Sequence, residues 1–251
     1  MGTSGKEKEL NVKEPIMFLL KSMKSEYVED TMKKGRFCFC HSSVFRGWED
    51  IGAAQYDKWE GYAAHKLKHM YVAPYTEGET QPPPMDKWIK IADETIVHGQ
   101  SETAKHMPIC CFRKIGTNDL LFDKDNHTAY FPINKIAERI RTEFGHDAYI
   151  LVPATPFLER VRKSVPFCYT GAVIYQDTMN DPPFSLEKEH QILAEQIFRK
   201  DERFSWQKEY RIALAPTSES RVFVEVGSIE DIAYSGTLAD ADYVIQIDLE
   251  K

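Results

Sequence analysis

The chain lacks most of the signatures that announce an activity. It has neither Gly-x-x-x-x-Gly-Lys nor Gly-x-Gly-x-x-Gly, which removes ordinary nucleotide hydrolases and Rossmann enzymes. It has no Cys-x₂-Cys pair: Cys38-x-Cys40-His41 and Cys110-Cys111 have the wrong spacing for a strong zinc signal, and no metal ligand is assigned. His65 and His69 stand four apart, but in His-Lys-Leu-Lys-His, without the glutamate of a metalloprotease helix. The five cysteines are odd in number and irregular in spacing, which argues against a disulfide scaffold and for a reducing compartment. No apolar run approaches the roughly 20 residues of a membrane span. The run Ile16 to Leu20 is also too short for a signal-peptide core, so a cytoplasmic location is expected. Positive charge is not in excess. A net charge of −7 excludes a broad electrostatic grip on nucleic acid or anionic lipid. There is no internal repeat.

What remains is an ordinary globular composition. Of the 251 residues, 42% are hydrophobic and 28% charged, enough to build a real core. Residues 1–14 are polar and read as a disordered lead, with one domain over 15–251. Residues 76–84 (Thr-Glu-Gly-Glu-Thr-Gln-Pro-Pro-Pro) read as a proline-rich surface excursion within it. Ile16 to Leu20 predicts a buried strand, Ser25 the cap of a helix closed by Lys33-Lys34-Gly35, and Arg36 to Cys40 an alternating strand. Residues 41–61 read as a structured loop with a short helix, and 62–74 as either a helix or a hairpin. Strands are predicted at 108–112, 128–131, 149–152, 171–176, 209–214, 221–226 and 243–248. Helices are predicted from Asn134 to Gly145, over 156–164 behind a Thr155-Pro156 cap, and from Ser185 to about Lys200. Strands and helices without a regular βα repeat imply an α+β fold, with a mixed, largely antiparallel sheet and four or five helices.

The richest stretch chemically is Phe204-Ser205-Trp206-Gln207-Lys208-Glu209-Tyr210-Arg211-Ile212-Ala213-Leu214. Period-2 alternation places Tyr210, Ile212 and Leu214 on one face and Glu209, Arg211 and Ala213 on the other. Glu209 and Arg211 are then either a solvated ion pair or, with Phe204 and Trp206, the wall of a pocket in which a glutamate acts as general base or stabilises positive charge. A second candidate is His41-Ser42-Ser43 with Arg46, Glu49, Asp50, Asp57 and Glu60, placed after a strand end, where hydroxyls and a guanidinium can hold phosphate or ribose. Its alternative is a polar loop whose serines and acids cap a helix. Alternating cysteines in an apolar strand read as small core residues. Cys111 and Cys168 lie in no recognisable nucleophile motif.

Several pieces taken in order resemble a large, poorly characterised group of bacterial and phage α+β proteins. These are Gly35-Arg36-Phe37-Cys38-Phe39, Ser43-x-Phe45-Arg46, Glu49-Asp50, Asp57-x-x-Glu60-Gly61, Phe157-Leu158-x-Arg160-Val161, Gly171-x-Val173-x-Tyr175, Phe198-x-Lys200-Asp201, Phe204-x-x-Gln207-x-Glu209-Tyr210-Arg211 and Val226-Gly227-Ser228-Ile229-x-Asp231-Ile232. More distantly, the strand–helix–glycine–strand opening and the late glutamate resemble ADP-ribosyltransferase-like toxins. That resemblance implies NAD as substrate, Glu209 as the catalytic acid orienting the ribose, and Ser42 or Ser43 bracing it. Arg46 or Arg211 would hold the pyrophosphate, and Gln207 and Trp206 would line the site. The first strand offers Lys21 where those toxins carry His or Arg. The function so implied is an enzyme of phage–host conflict, a toxin or bacterial-defence protein. The competing expectation is a non-catalytic module: an inhibitor, an antitoxin-like partner of another protein, or a nucleotide-sequestering protein.

Overall fold

The computed structural model describes residues 15–46, 62–74, 78, 81–123, 125, 127–177, 196–239 and 245–248. In chain order the strands are β1 (Ile16–Met23), β2 (Arg36–His41), β3 (Ala63–Val72), β4 (Ile89–Gly99), β5 (Pro108–Gly116), β6 (Leu121–Asp123), β7 (Thr128–Phe131), β8 (Ala148–Pro153), β9 (Cys168–Ala172), β10 (Ile174–Gln176), β11 (Arg199–Asp201), β12 (Glu209–Leu214), β13 (Arg221–Glu225), β14 (Tyr234–Thr237) and β15 (Ile245–Asp248). The α-helices are α1 (Val28–Lys34), α2 (Ser42–Arg46), α3 (Glu102–Lys105), α4 (Asn134–Phe144) and α5 (Ala154–Ser164). The fold is α+β, and its eight-stranded main sheet is antiparallel at every pairing. β6, β7 and β15 form a small sheet, β10 and β11 a parallel pair, and β3 and β4 a separate hairpin.

β5 organises the main sheet. β12 runs along one of its edges, with β9 beyond. The other edge is shared: β2 pairs at residues 108–109 and β1 at 113–116. Between these pairings the two partner strands diverge, and backbone groups of β5 would lack a neighbour. Lys21 fills the fork, its Nζ donating to the Cys111 carbonyl at 2.8 Å. A buried acceptor is thereby satisfied by a side chain where the ladder cannot reach it.

Both faces of the sheet are covered. On one, Phe37, Phe112 and Phe157 meet with ring centroids 5.3–5.7 Å apart, between the sheet and α5. On the other, α4 sets Ala137 and Ile140 over Leu20, Tyr149 and Leu151, and Met107 and Ile197 pack on Ile109 and Ala213. The alternation of β2 follows from this: Phe37 and Phe39 enter the aromatic core, and Cys38 and Cys40 face away. β12 has both of its faces buried. The solvated Glu209–Arg211 face is therefore corrected, because elements after β9 cover that side.

Local signals place most helix ends. α1 stops at Gly35, whose φ of +60° is open to glycine, and α4 at Gly145, with φ +64°. Gly35 is fixed by space as well, since a Cβ there would lie 2.2 Å from the Gly227 carbonyl oxygen. Other details differ from the sequence expectation. Ser25 does not cap; its amide and hydroxyl both donate to Asp147, and a 3-10 turn precedes α1. α5 starts at Ala154, so Thr155 and Pro156 lie inside its first turn. The strand expected at 171–176 breaks at Val173 into β9 and β10. Phe204 to Gln207 is a 3-10 turn, and Lys208, at φ +46°, turns the chain into β12. The 62–74 stretch resolves to a strand, paired with a β4 that periodicity did not reveal.

The proline-rich residues 81–84 fall in the β3–β4 connection, while the 1–14 lead and the helix from Ser185 to 195 lie outside the described residues. Lys200, expected near the end of that helix, sits in β11. Among the described residues, no helix is long and apolar enough to cross a membrane.

Candidate functional site

Glu209 opens β12 directly after the left-handed Lys208, which aims its side chain at the β10–β11 layer rather than at solvent. Its carboxylate is held at both oxygens. Lys200 Nζ donates to Oε1 at 2.7 Å; Arg211 Nε and Nη2 donate to Oε2 at 2.8 and 2.7 Å. Lys200 also donates to Gln207 Oε1 at 2.9 Å, and Arg211 Nη1 to the Ile197 carbonyl at 2.6 Å. The Glu209 amide donates to the Tyr175 hydroxyl at 2.8 Å, and its carbonyl accepts from the Val173 amide. Glu209, Arg211, Lys200 and Gln207 are all buried.

The electrostatics follow from that geometry. Burial opposes the charge on Glu209, but the adjacent Arg211 and Lys200 cations outweigh it and hold the carboxyl well below the usual carboxylate range. Burial, reinforced by Glu209, drives the Tyr175 phenol far above its ordinary value. Burial, then Glu209, pushes the Cys111 thiol up to about 12, so Cys111 is kept as a neutral thiol. A carboxylate this acidic is a poor general base at neutral pH. Stabilising a ribosyl cation would require the network to open, because both oxygens are already engaged.

Among the described residues, the other candidates do not all join this network. Ser42 is buried and 3.5 Å from Gln100 Nε2. The next residue, Ser101, donates from both its amide and its hydroxyl to Gln196 Oε1, one residue before the Ile197 carbonyl that binds Arg211. Ser42 and Arg211 are thus linked through residues 100–101 and 196–197. Ser43 is half-buried in α2. Arg46 ends α2, and its side chain lies outside the described set, as do residues 47–61 with Glu49, Asp50, Asp57 and Glu60. Trp206 leaves the network altogether: Arg139 of α4 stacks on it at 3.8 Å, and its carbonyl accepts from Arg113. The sulfurs of Cys38 and Cys40 are 3.7 Å apart, and all the described cysteines are free thiols.

Lys200 and Tyr175 are the network members that site reasoning missed. A signal existed, because both lie in the ordered pieces quoted above, Phe198-x-Lys200-Asp201 and Gly171-x-Val173-x-Tyr175. Other pieces pair in the same way. Gly35 abuts Gly227, and Arg160 Nη1 reaches the Asp231 carboxylate at 2.8 Å and the Ser228 carbonyl at 2.6 Å. These marks meet in space as scaffold contacts. Compared with protein-family models, curated proteins and solved structures, the chain matches none.

Proposed function

We propose that this chain is a non-catalytic binding module that captures a protein partner through its β3–β4 arm. The observation that carries the reading is the arm itself. Its two strands pair only with each other among the described residues, and Met70, Tyr71, Val72, Met85, Trp88, Ile89 and Ile91 stand exposed at the end away from the body. At about 3.3 Å per residue, ten strand residues carry that end about 30 Å from the base at Ala63 and Gly99. A two-stranded ribbon is marginal alone in water, and a cluster of large apolar side chains is a docking signal. Lys66, Lys68 and Lys87 are exposed along it, and so are Asp86, Asp93 and Glu94. The partner that fits is a protein with an apolar groove. The engaged state of Glu209 supports the same reading, since the best catalytic candidate is occupied by structural partners.

A photo-crosslinking amino acid at position 71, in the full chain and in its own cell, tests this. The expected result is one discrete heterologous adduct that is absent when the crosslinker replaces the similarly exposed Tyr169, and is lost with Trp88→Ser and Ile91→Ser. An adduct of twice the chain mass, or equal labelling from position 169, sinks the proposal.

A further inference from the structure

His41 closes β2, and His106 directly follows α3. Their rings meet edge to face, with centroids 5.5 Å apart and planes at 84°. Among the described residues, each ring leaves one nitrogen fully buried with no hydrogen-bond partner, Nε2 of His41 and Nδ1 of His106. His41 is itself 4% exposed. Buried orphan nitrogens are uncommon, and a pair of them on touching rings needs a cause. They do not bond each other, so a shared proton does not account for them.

Both rings also have a polar neighbour outside the pair. His106 Nε2 lies 3.4 Å from the Glu102 carboxylate, and the Thr217 backbone hydrogen-bonds the His41 ring. The Thr217 amide in turn donates to the His106 carbonyl at 3.0 Å, tying the two segments together. A carboxylate or a main-chain carbonyl on the outer nitrogen fixes the tautomer and leaves the inner lone pair free for a metal. The spacing also fits. With metal–nitrogen bonds of about 2.0–2.1 Å and a ring nitrogen about 1.1 Å from its centroid, two imidazoles on one tetrahedral ion have centroids about 5.2 Å apart, or about 5.5 Å when the angle between them opens to about 120°.

We infer that His41 and His106 form a two-histidine site for a borderline divalent transition metal of the zinc, nickel and copper class. Imidazole nitrogen selects that class over magnesium or calcium. Among the described residues, no third histidine, cysteine or carboxylate completes a cluster there. The site is separate from the Glu209 network and does not depend on the arm.

The experiment uses the full chain, stripped by chelator, in a Cys38→Ser/Cys40→Ser background that removes the neighbouring thiols. Copper(II) is titrated and read by electron paramagnetic resonance, and zinc(II) is measured by competition with a chromophoric chelator. The expected results are one ion per chain, a spectrum with two coordinating nitrogens, and at least a tenfold loss of affinity in His106→Gln. That side chain is 43% exposed, so the variant is expected to fold, and circular dichroism checks it. His41→Asn should lose binding to the same extent. Unchanged affinity in a folded His106→Gln, or a spectrum without nitrogen coupling, overturns the inference.

Discussion

Replacing Glu209 by glutamine keeps the side-chain shape and removes a charge that Lys200 and Arg211 share through 2.7–2.8 Å contacts. Deleting one partner of a buried ion network costs about 3–5 kcal/mol, because the other partners stay buried with their charge less compensated. For a chain of this size each kcal/mol lowers the melting temperature by roughly 2–4 °C, so the expected drop is roughly 6–20 °C. Urea unfolding of wild type and Glu209→Gln at pH 7, read by fluorescence and circular dichroism, measures it. The sign of the pH effect gives a second check. The folded carboxyl is held below its unfolded value of about 4.3, so its stabilisation is complete above that pH and is lost as pH falls through the folded value. The gap between the two proteins should therefore narrow from pH 5 towards pH 3. A loss under about 1 kcal/mol, or a gap that ignores pH, would refute the network as a structural unit. NAD turnover by the wild type that vanishes in a stably folded Glu209→Gln would restore the catalytic reading.

Two glycine substitutions separate strain from space. Gly35→Ala should cost at least about 2 kcal/mol, adding a clash with Gly227 to left-handed strain, while Gly145→Ala, with nothing within 4 Å of its Cβ, should cost only about 1 kcal/mol. Chemical denaturation of the pair compares them, and equal losses would remove the clash. His146 contributes a pH dependence of its own. Burial holds its pKa down to about 4 from 6.5, and its Nδ1 lies 2.9 Å from the Ser22 hydroxyl. Its stabilising effect is present above pH 6.5 and is lost as pH falls towards 4. His146→Gln should flatten the stability profile in that window, and an unchanged slope would show that another group titrates there.

The sequence by itself determined the α+β class, most strand positions and the glycine stops. Those are set by short-range rules: period-2 alternation in Arg36–His41, β-branched and aromatic runs, and positive φ at Gly35 and Gly145. It also marked Glu209 and Arg211 as neighbours, since residues two apart on a strand must share a face. Only the tertiary structure decided what that face meets. β12 pairs on both edges and is covered on both sides, so groups that alternate like a half-wet strand lie in a dry one. Lys200 reaches Glu209 from nine positions upstream through a parallel pairing of β10 with β11, a long-range contact that no local pattern encodes. The same holds for Lys21, which reads as one lysine in an apolar strand and proves to satisfy a carbonyl 90 residues away at the fork in the sheet. The pairing of His41 with His106 has the same origin, because only the fold brings the end of β2 against the end of α3.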